Sequence, residues 1–267
     1  NLVDRIIDEY QDGTGIDAYN GTDATSGLTD VGNTGHTITN TGSVGISTSI
    51  KKVGTGSLEF TRANSSTLSV AAHSDFVFGT ADFTIEAWIY VSNLGVRNYI
   101  IGNRSTTANT VWTLVTKNDG QLWWSHYNEN LMNSGTTLSA NTWHHVAITS
   151  LSRAMTMWLD GVAVDTYTNN RTYSTSTELM IGLDGNGGQG SSNYFGGNLD
   201  EVRISNVARY TSGFTPSTSA FTSDANTKLL LNGEVIAAVP NTGSSSTALA
   251  GGTGTGKYYS GSTNVNP

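Results

Sequence analysis

Residues 141–164, NTWHHVAITSLSRAMTMWLDGVAV, consist of short apolar runs in which apolar and polar side chains alternate, interrupted at Asp160-Gly161. Alternation with a period of two is typical of β-strands, and an Asp-Gly pair is a strong hairpin signal. On such a strand His144 and His145 point to opposite faces, so they cannot bind one metal ion together. We therefore predict a β-hairpin in which Trp143 and one of the histidines cover the edge of a β-sandwich core.

The composition of the 267-residue chain favours strands and turns. Charged residues make up only 13%, there are 31 glycines, and the formal net charge is −8. The 13 Lys and Arg residues are scattered, so a nucleic acid partner is not expected. The absence of cysteine excludes thiolate metal sites, cysteine nucleophiles and disulfides. No apolar run reaches the roughly 18 residues of a membrane helix, so no membrane span is expected.

Many short strand-like segments, about ten residues apart, fill the middle of the chain. A second hairpin turn is predicted at residues 118–120, Asn-Asp-Gly. This pattern predicts a β-sandwich or a β-barrel. The predicted strands are 57–61, 67–71, 83–91, 98–102, 111–117, 121–127, 144–150, 154–159, 162–167, 178–183 and 199–204.

The two ends of the chain differ from its middle. Residues 1–11 carry apolar side chains on one helical face, so they predict a short helix that docks on its own domain or on a partner protein. Residues 232–267 are too polar and too rich in Gly, Ser and Thr to form a core, and predict either an ordered arm on a partner or a flexible tail.

The stretch TWHHVAITSLSRAMTMWLDGVAV resembles the laminin-G-like, concanavalin A-like jelly-roll domains. GTGSLEF, LSVAAHSDFVFGTADFTIEAWIYV, LMIGLDG, GGNLDEVRISNVARYTSGFTPSTSAF and DANTKLLL occur in the order of that family. The resemblance covers roughly residues 28–231. It implies an all-β, concanavalin A-like jelly-roll β-sandwich, preceded by a helix and connecting arm over 1–27 and followed by an extended arm over 232–267. Residues 200–210 are similar to versions found in bacteriophage virion proteins and bacterial surface proteins.

The same family contains retaining glucanases, which place two carboxylates on one strand about 5 Å apart. On the corresponding strand, DFTIEAWIYV, Glu86 stands alone, with Trp88 and Tyr90 where a second carboxylate would have to lie. We therefore expect a protein without enzymatic activity and keep a glycoside hydrolase as the weaker alternative.

Carbohydrate recognition needs an aromatic platform with polar edges. In residues 121–128, QLWWSHYN, one of the two alternating sets of side chains must be core. Trp123 and Tyr127, on either side of Ser125, are the candidates for the outer face. Tyr194, beside a glycine-rich turn, is the third candidate. The alternative is that the second aromatic set is covered by a loop or arm.

The resemblance also implies one structural calcium ion. Asp200 matches the aspartate of the family's Leu-Asp-Glu-Val strand, and the turn containing Gly54 and Gly56 would supply carbonyl oxygens. Asp30 is a further oxygen donor by its position near the start of the domain. Calcium accepts carboxylate, carbonyl and water oxygens, so one carboxylate is enough for weak binding. Asn20 stands where related chains often have Asp; the alternative is that Asp200 has a structural role without metal.

Together these features predict a surface-exposed structural or binding module. The preferred interpretation is a bacteriophage capsid-decoration, tail or fibre protein that contacts carbohydrate. The expected location is the virion surface, and the alternative is a secreted adhesin or lectin of the bacterial cell surface. Expected partners are surface glycans and, through the helix and the arm, other virion or cell-surface proteins, with a homo-oligomer among the expected assemblies.

Overall fold

The computed structural model describes residues 28–103, 112–126, 129–173, 177–183 and 194–235, and the backbone of 258–260 and 263–265. Two 3-10 turns, Arg62–Asn64 and Ser74–Phe76, are the helical elements of these ranges, and no helix in them is long and apolar enough to cross a membrane. The strands are Ile38–Thr41 (β1), Gly45–Ser47 (β2), Ser57–Phe60 (β3), Thr67–Val70 (β4), Phe83–Val91 (β5), Asn98–Asn103 (β6), Trp112–Thr116 (β7), Gln121–His126 (β8), Glu129–Thr137 (β9), Trp143–Leu151 (β10), Ala154–Leu159 (β11), Val162–Thr168 (β12), Leu179–Ile181 (β13), Gly197–Ser205 (β14), Thr227–Leu231 (β15), Tyr258–Ser260 (β16) and Thr263–Val265 (β17).

The strands form two antiparallel sheets that enclose one core. The seven-stranded sheet has the order β1-β4-β13-β6-β7-β8-β9. The eight-stranded sheet has the order β12-β11-β10-β5-β14-β3-β2, with β15 pairing with β14. The predicted concanavalin A-like β-sandwich is thereby confirmed. β16 and β17 pair with each other in a separate unit, residues 237–267.

The core between the sheets is apolar and rich in aromatic rings. Trp112 and Trp124, on the paired strands β7 and β8, stack with ring centroids 5.2 Å apart, and Phe78 stacks on Phe83 at 4.4 Å. Both tryptophans are fully buried. Burial of a large apolar side chain contributes about 1.5–3 kcal/mol, so these rings are a main source of stability.

The outer face of the eight-stranded sheet is covered by residues 207–221, which we call the cover segment. Within it Tyr210 and Phe214 stack at 3.6 Å, and Phe214 packs on Trp158 of β11 at 5.6 Å. The backbone carbonyl of Ser217 accepts a hydrogen bond from Nε1 of Trp88 at 3.2 Å. This sheet is therefore buried on both faces along its central strands, which explains why β5 and β14 are almost entirely buried.

The histidine pair of β10 has the predicted alternation. Val146 and Ile148 point into the core, whereas His145 lies on the opposite face, fully buried beneath the cover segment. His144 Nδ1 is 2.8 Å from Oδ2 of Asp160 in the hairpin turn. The two histidines thus have separate structural partners. His144 shares the face of Val146 and Ile148 and is half-buried at the start of the strand, where the sequence predicts a histidine that covers the core edge. On the other face the cover segment adds a second layer over His145.

His126 gives the fold a testable pH dependence. It is 4% exposed, its Nε2 is 2.9 Å from the hydroxyl of Tyr173, and burial, with a smaller contribution from the charge of Arg171, lowers its pKa to about 4. The folded-state pKa lies below the unfolded one, so the unfolded chain binds the proton first. The contribution of neutral His126 to the free energy of unfolding is therefore complete above about pH 6.5 and is lost as the pH falls towards 4.

We expect His126→Gln to remove this pH-dependent contribution to stability. The difference in unfolding free energy between wild type and variant should shrink by about 3 kcal/mol between pH 7 and pH 4, at about 1.4 kcal/mol per pKa unit. Urea unfolding at several pH values measures it, and the other titrating groups cancel in the difference. A difference that stays constant over this range would contradict the prediction.

The predicted helix over residues 1–11 and most of the predicted arm over 232–267 lie outside the described residues. Of the arm, residues 232–235 continue from β15. The predicted domain boundaries at 27/28 and 231/232 stay predictions.

Candidate functional site

The outer face of the seven-stranded sheet presents a half-buried tryptophan. On β8 the side chains of Leu122, Trp124 and His126 are buried, whereas Gln121, Trp123 and Ser125 are partly exposed on the other face. The strand register places Trp123 beside Val115 of β7 and Asn133 of β9. The structure thus resolves the alternative that the sequence leaves open: Trp124 belongs to the core and Trp123 to the surface.

Polar side chains surround the Trp123 ring. The Nζ of Lys117 lies 4.1 Å from the ring centroid, and the indole Nε1 donates a hydrogen bond to Oδ2 of Asp119 at 3.2 Å. Lys117 also donates to Oδ1 of Asn130, which accepts from the hydroxyl of Ser125 at 3.1 Å. Partial burial and the charge of Arg97 lower the pKa of Lys117. We refer to Trp123, Lys117, Asp119, Ser125 and Asn130 as the Trp123 surface.

Of the other two aromatic candidates, only Tyr194 falls within the described ranges. Tyr127 lies outside them. Tyr194 is half-buried and pairs with Leu183, which follows β13. Three strand spacings, about 14 Å, separate β13 from β8. Tyr194 therefore flanks the sheet away from Trp123.

Asp200 and Glu201, at a bulge in β14, form a buried pair of carboxyl groups. Asp200 Oδ2 accepts from the amides of Lys52 and Val53 at 3.1 and 3.0 Å. Burial, with a smaller contribution from the charge of Glu234, raises the pKa of Asp200 to about 7. Burial and the charge of Asp200 raise the pKa of Glu201 to about 7 as well. Glu201 Oε1 is buried without a hydrogen-bond partner among the described residues.

The predicted calcium ligands fall into two places. The amide of Val53, which precedes Gly54, donates to Asp200, so the turn of Gly54 and Gly56 lies against the Asp200 bulge. Gly54 has a φ of +60° and lies directly against the carboxylate of Glu234, and Gly56 lies beside the carbonyl oxygen of Gly233. Asp30 instead accepts from the amides of Gly32, His36 and Leu230 at 2.7–2.9 Å. The structure thus brings Asp200, Gly54 and Gly56 to one region and places Asp30 in another.

The chemistry of this region fits calcium in part. Its oxygen donors are of the kind that calcium prefers, and the unpaired Oε1 of Glu201 is free to accept a cation. The oxygens of Asp200 already accept backbone amides, which supports the structural role that the sequence leaves as an alternative. Calcium binding by Asp200 therefore stays a prediction.

Glu86, the lone acid of the glucanase-like strand, is fully buried. Its Oε1 accepts from Nε of Arg203 at 2.8 Å. Its Oε2 accepts from the hydroxyl of Tyr210 at 2.7 Å and is 3.2 Å from Nε2 of His145. The carboxylate is enclosed by the sheet and the cover segment, so it cannot contact a polysaccharide in this structure.

The model of a laminin-G family described as the concanavalin A-like lectin/glucanases superfamily matches residues 62–212, more than half of the chain. The chain belongs to this superfamily. No curated protein sequence is significantly similar to it.

Two examples of solved structures with a similar fold are both domains of larger proteins by their descriptions. The binding domain of Paraclostridial Mosquitocidal Protein 1 is 19% identical, with a TM-score of 0.55; the match covers 69% of this chain and 49% of that one. Domain 4 of AbnA, a GH43 extracellular arabinanase from Geobacillus stearothermophilus solved with arabinotriose, is 18% identical, with a TM-score of 0.51; the match covers 65% and 83%. The chain thus spans about half of the mosquitocidal binding domain. At these identities the likeness establishes the fold.

The sequence did not predict the polar residues of the Trp123 surface. The position of Lys117 could have been inferred, because the predicted turn at residues 118–120 places Lys117 opposite Gln121. In the structure the Lys117 amide donates to the carbonyl of Gln121 at 3.1 Å. Asn130 carried no such signal, since the polar sequence of β9 does not alternate.

Proposed function

We propose that this protein is a non-enzymatic carbohydrate-binding module and that a saccharide binds at the Trp123 surface. The observation that carries the proposal is a half-buried indole on a sheet face, in contact with the ammonium of Lys117 and the carboxylate of Asp119, with the amide of Asn130 bound to that ammonium. An aromatic plane with hydrogen-bonding groups at its edge suits a sugar ring, which has an apolar face and a polar rim.

In this proposal the apolar face of a sugar stacks on the indole while its hydroxyls bond to the surrounding side chains. The hydrogen bond from Nε1 to Asp119 holds the ring in place. A saccharide that stacks on the Lys117 side displaces the ammonium into solvent, which relieves the burial that lowers its pKa. The cost of ordering the site is small because the tryptophan is already fixed.

The non-enzymatic part of the proposal is supported by the position of the carboxylates. Glu86 is enclosed, and Asp200 and Glu201 are buried. A glycosidase of this class needs two carboxylates that reach the same sugar. Release of reducing ends from a laminarin or chitin panel would contradict this part alone, without bearing on binding at Trp123.

A glycan array that includes arabino-oligosaccharides, as in the complex solved for the arabinanase domain, tests the site. We expect a selective hit, and we expect Trp123→Ala to weaken it at least about tenfold, the equivalent of about 1.4 kcal/mol of lost stacking. Titration calorimetry with the hit saccharide gives the ratio of dissociation constants.

Trp143→Ala is the matched control, because Trp143 is also half-buried but lies on the eight-stranded sheet, packed on Tyr90 at 5.5 Å. Its affinity should stay within about twofold of wild type. Loss of binding in Trp143→Ala with retention in Trp123→Ala would overturn the assignment of the site. An array without any hit would overturn the carbohydrate proposal itself.

The remaining expectations extend the proposal. We propose calcium as a structural ion at Asp200 and the turn of Gly54 and Gly56, supported by the unpaired Oε1 of the neighbouring Glu201, so the array is run both with calcium and after chelation. We also propose the surface of a bacteriophage virion, or of a bacterial cell, as the location, with attachment through the chain ends. Its support is the sequence similarity of residues 200–210 to such proteins.

A further inference from the structure

A cluster of two histidines and one aspartate lies at the β1 edge of the seven-stranded sheet. His36 precedes β1, and His73 and Asp75 follow β4. The antiparallel register, which pairs Ile38 with Val70, brings these two chain segments together. Among the described residues, this is the group of three His, Asp or Glu side chains whose ligand atoms all lie within 4.8 Å of one another.

We propose that His36, His73 and Asp75 form a binding site for a divalent transition metal ion, with Zn²⁺ as the preferred ion. Oδ2 of Asp75 is 3.2 Å from Nε2 of His36 and 3.4 Å from Nδ1 of His73. With zinc–ligand bonds of about 2.0–2.1 Å, neighbouring ligands of a tetrahedral site are about 3.3–3.4 Å apart. The two separations from Asp75 are therefore close to those of neighbouring zinc ligands, and all three ligand atoms lie within 4.8 Å of one another.

The surrounding contacts hold the ligands in place. The amide of His36 donates to Oδ2 of Asp30 at 2.7 Å, and the ring packs on Phe76 at 4.9 Å. The hydroxyl of Thr34 donates to Oδ2 of Asp75 at 2.7 Å and orients the carboxylate. Such supporting hydrogen bonds are typical of metal sites. The ordering cost of binding is correspondingly low.

The exposure of the three side chains gives an ion a way in. His36 and Asp75 are 7% and 17% exposed, whereas His73 is 43% exposed. Water can complete the coordination from the His73 side. The Asp75 amide donates to Nδ1 of His73 at 3.1 Å, so the metal must displace that hydrogen bond, which limits the affinity.

The donor set selects the kind of ion. Two imidazole nitrogens and one carboxylate oxygen suit zinc, nickel or copper, whereas calcium takes six to eight oxygens. This site is independent of the proposed carbohydrate site and of the Asp200 region. The chain has five histidines and no cysteine, and two of the other three histidines, His126 and His145, are buried, so zinc binding is simple to assign.

Titration calorimetry of the full chain, without a polyhistidine tag and stripped of metal, tests the proposal with ZnCl₂. We expect one zinc ion per chain, and we expect His73→Ala, His73→Gln and Asp75→Asn each to weaken binding at least about tenfold. Circular dichroism checks that the variants are folded. CaCl₂ should give no binding that His73→Ala removes.

His144→Ala is the matched control, because His144 also contacts an aspartate, Asp160, at 2.8 Å but in a pair of two ligands. Its zinc affinity should stay within about twofold of wild type. Absence of stoichiometric zinc binding would overturn the proposal, and so would equal affinities of wild type and the folded His73 and Asp75 variants.

Discussion

Replacement of Glu86 by glutamine is expected to destabilise the protein by about 3–5 kcal/mol. Removing one partner of a buried ion pair leaves the other charge uncompensated, and here the other charge is the guanidinium of Arg203, 2.7 Å from Oε1 and 8% exposed. Burial alone would raise the pKa of Glu86, but the hydrogen bond from His145 and the charge of Arg203 lower it below its usual value. The carboxylate is therefore charged when the protein is folded.

The cover segment makes this site more sensitive. Tyr210 donates to Glu86, and the ring of Phe221 lies 3.8 Å from the guanidinium carbon of Arg203. A glutamine keeps the shape of Glu86 but loses the charge and one acceptor oxygen. Urea unfolding monitored by tryptophan fluorescence measures the loss, and the packing of Trp88 and Trp158 beneath the segment should loosen with it.

Glu59→Gln is the control, because Glu59 is exposed on β3 of the same sheet; it should change stability by less than about 0.5 kcal/mol. The double variant Glu86→Met with Arg203→Met should be less destabilised than the sum of the two single variants, since neither charge is then left alone. A loss below about 1 kcal/mol in Glu86→Gln would show that the ion pair is not needed to neutralise Arg203.

Replacement of Gly161 by alanine is expected to cost about 3 kcal/mol. Gly161 has a φ of +82° in the Asp160-Gly161 turn, where an L-residue costs about 1–2 kcal/mol. In addition, a Cβ there would come within 1.8 Å of the carbonyl oxygen of Phe214, whose amide donates to Gly161 at 3.0 Å. The rest of the cost comes from pushing the cover segment away from the sheet.

Two other glycines separate the two contributions. Gly79 has a φ of +59° and open space around its Cβ position, so Gly79→Ala should cost only the conformational part, about 1–2 kcal/mol. Gly45 has neither a left-handed φ nor a neighbour within 4 Å, and Gly45→Ala should stay within about 0.5 kcal/mol. Equal losses at Gly161 and Gly79 would show that contact with Phe214 contributes nothing.

Local pattern predicted most of the sandwich. The strands 83–91, 144–150 and 154–159 and the turns at 118–120 and 160–161 occur close to where alternation and turn residues place them. The strand β9 was not predicted, because it is an edge strand with a largely polar sequence and gains its order from pairing with β8. Apolar and polar residues do not alternate along its sequence, so no two-residue period indicates a strand there.

The candidate site was predicted only in part. Alternation alone separated Trp123 from Trp124, but either could have been the inner one, since both sets contain aromatic and polar residues. The decision required the opposite sheet, whose Phe83 ring lies 6.5 Å from that of Trp124. The polar partners of Trp123 come from two strands, β8 and β9, and from the turn between β7 and β8, and only the strand register brings them together.

The sequence by itself therefore determined the fold class, the hairpin turns and the opposite directions of His144 and His145, because these depend on neighbours along the chain. The tertiary structure alone decided that Glu86, His145 and Arg203 meet beneath the cover segment, and that His36 meets His73 and Asp75. These contacts join residues that lie tens of residues apart in sequence. A local pattern holds no information about such distances, since they are set by the order of the strands within the sheets.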